Sequence, residues 1–201
     1  HVNAIETALV VAGRAGASRA YGTPATTPFG TAGDNTDASN VLKILKDNGA
    51  GNFDNQLVIG TTAGANFLGK QSQVNQQGSD AMLRQGVILD VAGMPMRESG
   101  QMGSHTAGTI SGTLASLVRA AGVTVLTTTA DYSGTILAGD VITFAGDTNK
   151  YVVASISASA ITINEPGLVA GPTTGTKANT MVATPATTLS WLLSAISRAF
   201  R

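Results

Sequence analysis

The chain has 201 residues, enough for one large domain or two small ones. Twelve Lys/Arg balance twelve Asp/Glu, which argues against nucleic-acid binding through bulk positive charge. The lack of cysteine excludes disulfide scaffolds, thiolate chemistry and Cys-ligated metals.

Ala (30), Thr (26) and Gly (24) make up 80 residues, and aromatics only 4%, so thin layers and close backbone approach suit this chain better than a deep aromatic-lined pocket. In chain order, residues 2–16 are predicted to form a short helix, because Val2, Ile5, Leu9 and Ala12 recur at a period of 3.6. Residues 22–36 read as a loop punctuated by Pro24, Pro28, Gly22, Gly30 and Gly33. Asp37 or Ser39 is expected to cap a second helix running through Lys46, with Val41, Leu42 and Leu45 buried and Asn48-Gly49 as its stop. Gln56–Gly60 reads as a buried strand, followed by a one- or two-turn helix capped by Thr61-Thr62 and ending near Leu68-Gly69. The Gln/Asn/Ser-rich stretch from Lys70 to Asp80 is expected to be exposed. Val87–Val91, a turn at Ala92-Gly93, and Met94–Arg97 resemble a hairpin.

From Thr109 to Thr180 helical periodicity gives way to short β-rich runs: Val123–Thr127, Val141–Phe144, Tyr151–Ile156 and Ile161–Ile163. Gly146-Asp147-Thr148-Asn149 reads as a hairpin connection, and four or more strands at this spacing predict a small antiparallel barrel or sandwich. Residues 168–180 read as a Gly/Pro/Thr loop. Residues 189–200 have the spacing of an amphipathic helix through Leu189, Leu192, Leu193, Ile196 and Phe200. The predicted class is α+β, with residues 1–104 as one segment, 105–180 as a β module and 181–201 as a return. A module lying between two pieces of another layer has the pattern of an insertion. No run reaches the ~18–20 apolar residues of a membrane span, and no basic leader precedes the apolar stretch Ala8–Ala12. The first residue is not Met, so a processed product or a fragment is expected.

No catalytic, cofactor-binding or metal-binding set emerges. Asp90 and Glu98 flank the first hairpin, but both border turn residues, and a solvated pair is expected rather than an acid–base pair. Gly60-Thr61-Thr62-Ala63-Gly64 passes from strand to helix and lacks the Lys-Ser/Thr ending of a phosphate-binding loop. Asp140 and Asp147 each follow Gly in a turn, and two isolated carboxylates fall short of a calcium loop. Ser104 has no triad partners, His105 is expected to be exposed and idle, and Trp191 to serve as a core or interface anchor.

Several stretches resemble tailed-phage major capsid proteins, and specifically the Salmonella podophage coat-protein family. They are Val2–Glu6, Ser18–Gly22, Thr27–Gly30, Asn40–Asn48 followed by QLVIGTTAGANFL, and Arg84–Val87 with Arg97–Ser99. The most distinctive is Gly134–Val153 (GTILAGDVITFAGDTNKYVV), which resembles that family's inserted domain and continues into Ala160–Leu168. Ser194-Ala195-Ile196 is similar to the strand after the insertion.

The resemblance implies a partial Hong Kong 97-type capsid fold: an axial segment, an inserted small antiparallel β-barrel at 105–180, and a return segment. It implies a structural role in shell building, with other copies of the chain as partners and room for a scaffolding protein, in a virion capsid assembled in the host cytoplasm. It implies no cofactor, no membrane, no specific nucleic-acid site and no enzymatic activity. Family members are longer at both ends, so the arm, the extended loop and most of the spine helix are expected before residue 1. Further capsid-domain sequence is expected after Arg201. Leu192-Leu193 depart from the polar or charged residues usual there, and the family implies a strand where spacing predicts a helix. The alternatives are a phage tail or surface-binding β module and, from another class, a hydrolase.

Overall fold

The structure, a computed structural model, describes residues 2–22, 26–30, 36–50, 55–71, 90–103, 105–109, 111–116, 120–129, 132–144, 147–157, 160–169, 179–180 and 191–192. Helices and strands are mixed and a curled antiparallel half-barrel sheet is present, so the chain is α+β. Its contacts divide it into two compact units: residues 1–10, 21–104 and 188–201 in the first, and 11–20 and 105–187 in the second. The sequence reading divides the chain at 104/105 and 180/181 and leaves Val11–Ala20 with the first segment, whereas the contacts place that stretch in the second unit.

The first unit contains α2 (Thr36–Asp47), α3 (Thr61–Gln71) and a three-stranded sheet of β2 (Leu57–Gly60), β3 (Met96–Ser99) and β11 (Trp191–Leu192). Ala38, Val41 and Leu45 recur at three and four along α2 and turn one stripe into the core, with Leu42 at its margin. The helix begins at Thr36, one residue before the expected cap. Asp37 instead accepts the Phe29 N–H at 3.0 Å and ties the preceding loop to the helix. Phe29 and Phe67 meet at 5.2 Å with their planes 57° apart, closing the core between loop and α3. Burying side chains of this size stabilises by about 1.5–3 kcal/mol each.

Strand β2 runs straight into α3 and pairs in parallel with β3, Leu57 opposite Met96 and Gly60 opposite Ser99. Of the expected hairpin, the described part is a Val91–Met94 bridge around Ala92 and Gly93, both at positive φ, as a two-residue primed turn requires; residues 87–89 of its first arm lie outside the described residues. The chain then leaves the bridge to join β2 as β3. Residues 189–200 are not one helix: Trp191 and Leu192 lie antiparallel to Ile59 and Val58, and the remainder falls outside the described residues. A two-residue strand carries no period of its own, so spacing could not distinguish it from helix.

The second unit is the half-barrel, in the order β1–β8–β9–β5–β4–β10 with β6 on β4 and β7 on β8. Its strands are β1 (Arg19–Ala20), β4 (Ser111–Ser116), β5 (Val125–Thr129), β6 (Tyr132–Ser133), β7 (Val141–Thr143), β8 (Lys150–Ser157), β9 (Ala160–Ile163) and β10 (Asn179–Thr180). The expected hairpin between VITF and KYVV is present, with Val141 opposite Val152 and Thr143 opposite Lys150; Gly146 in its turn lies outside the described residues.

Alternation sends Ile161 and Ile163 of β9 and Tyr151 and Val153 of β8 into one core with Leu126, Ile142 and Phe144. A register shift follows, Val153 opposite Ile163 but Ser155 opposite Thr162. Without that bulge Ser155 would share the inward parity of Tyr151 and Val153. The extra residue turns it outward.

The final helical stretch, α1 (Val2–Ala15), has no buried residue. Its C-terminal end is tied to the half-barrel: Asn164 Nδ2 donates to the carbonyls of Ala15 and Ala17 at 2.7 and 2.8 Å, satisfying acceptors that the helix leaves open.

The two units have separate cores, one around Phe29 and Phe67 and one around Ile161. Ile161→Ala is expected to destabilise the half-barrel by about 2–5 kcal/mol. In calorimetry it should lower one unfolding transition and leave the other in place; equal shifts of both would show a single cooperative core.

Candidate functional site

Two buried polar clusters and one uncovered surface stand out among the described residues. The first cluster is built on Asp140, which is 1% exposed. Its carboxylate accepts the Leu137 N–H at 2.8 Å and the Gly108 N–H at 3.2 Å, and it meets His105 Nε2 at 2.7 Å. The backbone of Asp140 is also engaged, its carbonyl accepting from Val153 N–H at 2.8 Å.

Close approach explains the glycines around it. A Cβ on Gly108 would lie 2.1 Å from the Thr135 carbonyl oxygen, and one on Gly139 would press within 3.2 Å of the His105 ring at φ +93°. His105 is therefore neither exposed nor idle. Its side chain is 12% exposed and clamps the start of the half-barrel's main segment to the turn before β7. Asp140 does serve its turn, as expected, but its oxygens are committed to N–H donors, so it is a structural acceptor.

The second cluster surrounds Tyr151. The phenol donates to Asp147 Oδ2 at 2.5 Å and accepts the Val169 N–H at 3.2 Å. Asp147 Oδ1 accepts from both the backbone N–H and the side-chain amide of Asn149 at 2.8 Å, which closes the turn locally. The buried Arg19 lays its guanidinium 4.5 Å from the Tyr151 ring centroid and donates to the Gly167 carbonyl at 2.8 Å. Burial, and then donation to Asp147, push the Tyr151 phenol up to about 12; the Val169 N–H and the charge of Arg19 act the other way. Burial also lowers the Arg19 pKa, against the charge of Asp147. This cluster was missed from the sequence because Arg19 is remote along the chain. The one local signal was the spacing of Asp147 and Tyr151 across a short turn.

The other candidates stay apart from both clusters. Glu98 lies over the first turn of α3, where a Cβ on Gly64 would come within 3.0 Å of its carboxylate, and Asp90 is exposed. The strand-to-helix glycine loop thus has the chain's own carboxylate as a neighbour. Ser104 lies outside the described residues, and of Trp191 only the strand placement is described. No group of three or more His, Asp or Glu able to hold a metal occurs among the described residues. An open groove of about 280 Å³ beside α2 is lined by Ser39, Leu42, Lys43, Lys46, Asp47 and Ala92, with Lys43 ion-paired to Asp47. It brings together no nucleophile, base and orienting group. No described helix is long and apolar enough to cross a membrane.

The uncovered surface is on α1. Its polar side is the one that docks: Ser99 Oγ donates to Glu6, and Thr7 Oγ1 donates to Gln101 Oε1 at 2.9 Å. Its apolar stripe faces outward, with Val2, Ile5 and Leu9 exposed by 76%, 62% and 67%. The stripe predicted from periodicity exists, but it is not part of the core.

Compared with protein-family models and with curated proteins, the chain matches none.

Two outcomes test the clusters. Tyr151 ionises near 10 when unfolded and about 12 when folded, so its contribution to stability is complete below about pH 10 and is lost as pH rises through about 12. Tyr151→Phe should abolish that loss and remove one late-titrating phenol from an ultraviolet absorbance titration; an unchanged titration would place the late phenol elsewhere. Asp140→Ala leaves buried N–H groups without an acceptor and is expected to cost about 2–4 kcal/mol in denaturant unfolding. Added calcium should not move the melting temperature of the wild type, and a calcium-dependent rise would make Asp140 or Asp147 a ligand.

Proposed function

We propose that the chain is part of a tailed-phage or prophage major capsid protein. In this reading the first unit belongs to a Hong Kong 97-type axial region, the half-barrel is the inserted domain, and the protein works by building a shell from homotypic contacts. One observation carries the reading: an antiparallel half-barrel, whose main segment is 105–187, lies along the chain between stretches of a separate α/β unit. The half-barrel also contains the distinctive stretch Gly134–Val153 on which the family resemblance chiefly rests, including the β7–β8 hairpin.

The chemistry of the interior supports a structural role. Asp140, His105, Asp147 and Arg19 are spent on holding turns and strands rather than converging on an open cleft. A shell repeats one contact many times, so a weak pairwise interface is sufficient. A scaffolding protein is a further partner under this reading, and the virion is its location. The second reading is a stand-alone tail or surface-binding β module. It is favoured by the half-barrel's own closed core around Tyr151 and Ile161.

Electron microscopy of the product of the whole reading frame, expressed alone and with its neighbours, tests the proposal. Shells or curved shell fragments are expected. Dispersed monomers under every condition would sink the capsid reading and favour the stand-alone module.

A further inference from the structure

We propose that the half-barrel carries a peptide-recognition site, formed by Lys150 and Tyr151 of β8, Asn164 and the Gly167 carbonyl, and that residues 15–20 are its ligand: an extended segment of small residues anchored by one arginine. The site takes this segment whether or not it is joined to the same chain. The inference goes beyond the capsid reading and does not depend on it.

The contacts all lie within the second unit. They join residues 147 to 149 positions apart, so the segment is held by what the site engages and not by its sequence neighbours. Three features are engaged. Asn164 Nδ2 donates to the carbonyls of Ala15 and Ala17 at 2.7 and 2.8 Å. Arg19 and Ala20 pair antiparallel with Tyr151 and Lys150. Arg19, 4% exposed, lays its guanidinium on the Tyr151 ring and donates to the Gly167 carbonyl at 2.8 Å. The first two features are backbone and the third is one side chain. Strand addition works in this way, with main-chain bonds supplying affinity and a side-chain pocket supplying selectivity. Stacking and donating at once requires a planar guanidinium, which lysine lacks. The remaining residues, Ala15, Gly16, Ala17, Ser18 and Ala20, are small and let the backbone come close.

The site is built without its occupant. Tyr151 is fixed by its bond to Asp147, by the Val169 N–H, by the edge of Phe144 and by pairing with Ile142. The Asn164 N–H donates to the Val152 carbonyl at 3.1 Å, and the Gly167 N–H donates to the Asn164 carbonyl at 3.1 Å, which fixes the turn that presents the Gly167 carbonyl. None of these partners belongs to residues 11–20. A framework ordered in advance spares the incoming segment that part of the cost of binding. Without the segment, a ring face, the Asn164 amide and one edge of β8 would lie bare, and such an edge is a template for an incoming strand.

A synthetic peptide of residues 11–22 tests the proposal on the full chain carrying Arg19→Ala, which keeps the site and weakens its own segment. Arg19→Ala is expected to lower the melting temperature of the half-barrel, and millimolar peptide to raise it again by a few degrees. The same peptide with alanine in place of Arg19 should bind roughly tenfold or more weakly. Asn164→Ala, added to the Arg19→Ala chain, should weaken binding of the unaltered peptide by roughly fivefold or more. The wild-type chain should bind the peptide roughly tenfold more weakly than Arg19→Ala does, because attachment gives its own segment a high effective concentration. A peptide that restores nothing, or an arginine-free peptide that restores as much, overturns the inference and leaves residues 15–20 as an ordinary packed strand. An Arg19→Ala chain that melts like the wild type overturns it as well. If Arg19→Ala does not fold alone, Arg19→Lys, which keeps the charge but not the planar fork, carries the same comparison. None of these outcomes bears on shell formation, which microscopy reads separately.

Discussion

The half-barrel depends on the buried phenol of Tyr151. The residue stands on β8 where that strand is paired on both sides, with Ile142 of β7 and with Arg19 of β1. Its ring meets Phe144 edge-on at 5.5 Å and carries the Arg19 guanidinium on its face, and its hydroxyl both donates and accepts. Removing any one of these neighbours would leave a polar atom or a ring face uncompensated in a low-dielectric interior, where that omission is costly. Three stretches far apart in sequence are positioned by this one side chain: the β1 segment, the turn at Asp147 and the loop at Val169.

A reliance of this kind follows from the composition. With few aromatic rings and only 12% charged residues, neither large apolar volume nor surface ion pairs can hold the loops. Short polar side chains bonded to backbone take that part. Asp140 binds two loop N–H groups, Asn164 binds two carbonyls at the end of α1, Asp37 binds Phe29 N–H, and Asn66 binds the Pro28 carbonyl at 3.2 Å. Each such bond contributes about 0.5–1.5 kcal/mol, more where the acceptor is charged, and each removes a loop's freedom at a defined atom. Small residues complete the arrangement by allowing approach. Gly108 passes the Thr135 carbonyl at a distance that no side chain permits.

What could be read in advance was local. Periodicity located α1 and α2, the Thr61-Thr62 cap located the start of α3, short apolar and β-rich runs located β2 and β7 to β9, and the GDTN turn located the hairpin, because each signal lies within a few residues of its own element. Pairing across the chain was not visible. Strand β3 joins β2 in parallel, β1 joins β8, and β11 joins β2, and two-residue strands contain too few side chains to show a period. His105 reads as exposed for the same reason. Its immediate neighbours are small and polar, which reads as exposure, and the carboxylate that buries it is 35 residues away. Asp140 reads as a turn residue, and its carboxylate does accept the Leu137 N–H of its own turn. Its burial depended on Gly108 and Val153, which no local pattern connects to it.

The helix α1 shows why a hydrophobic period is half an answer. A 3.6-residue stripe states that a helix has two unlike faces; which face is covered depends on what else the chain brings there. In this fold the surface offered to α1 is the polar Ser99–Gln101 turn, so Glu6 and Thr7 dock and the apolar face is left out. Hydrogen bonds on the docked side contribute about 0.5–1.5 kcal/mol each, whereas burying a side chain the size of Ile5 or Leu9 would contribute about 1.5–3 kcal/mol. The intramolecular arrangement therefore forgoes more apolar stabilisation than its polar contacts supply. A helix held this way round gains stability when a second apolar surface covers it.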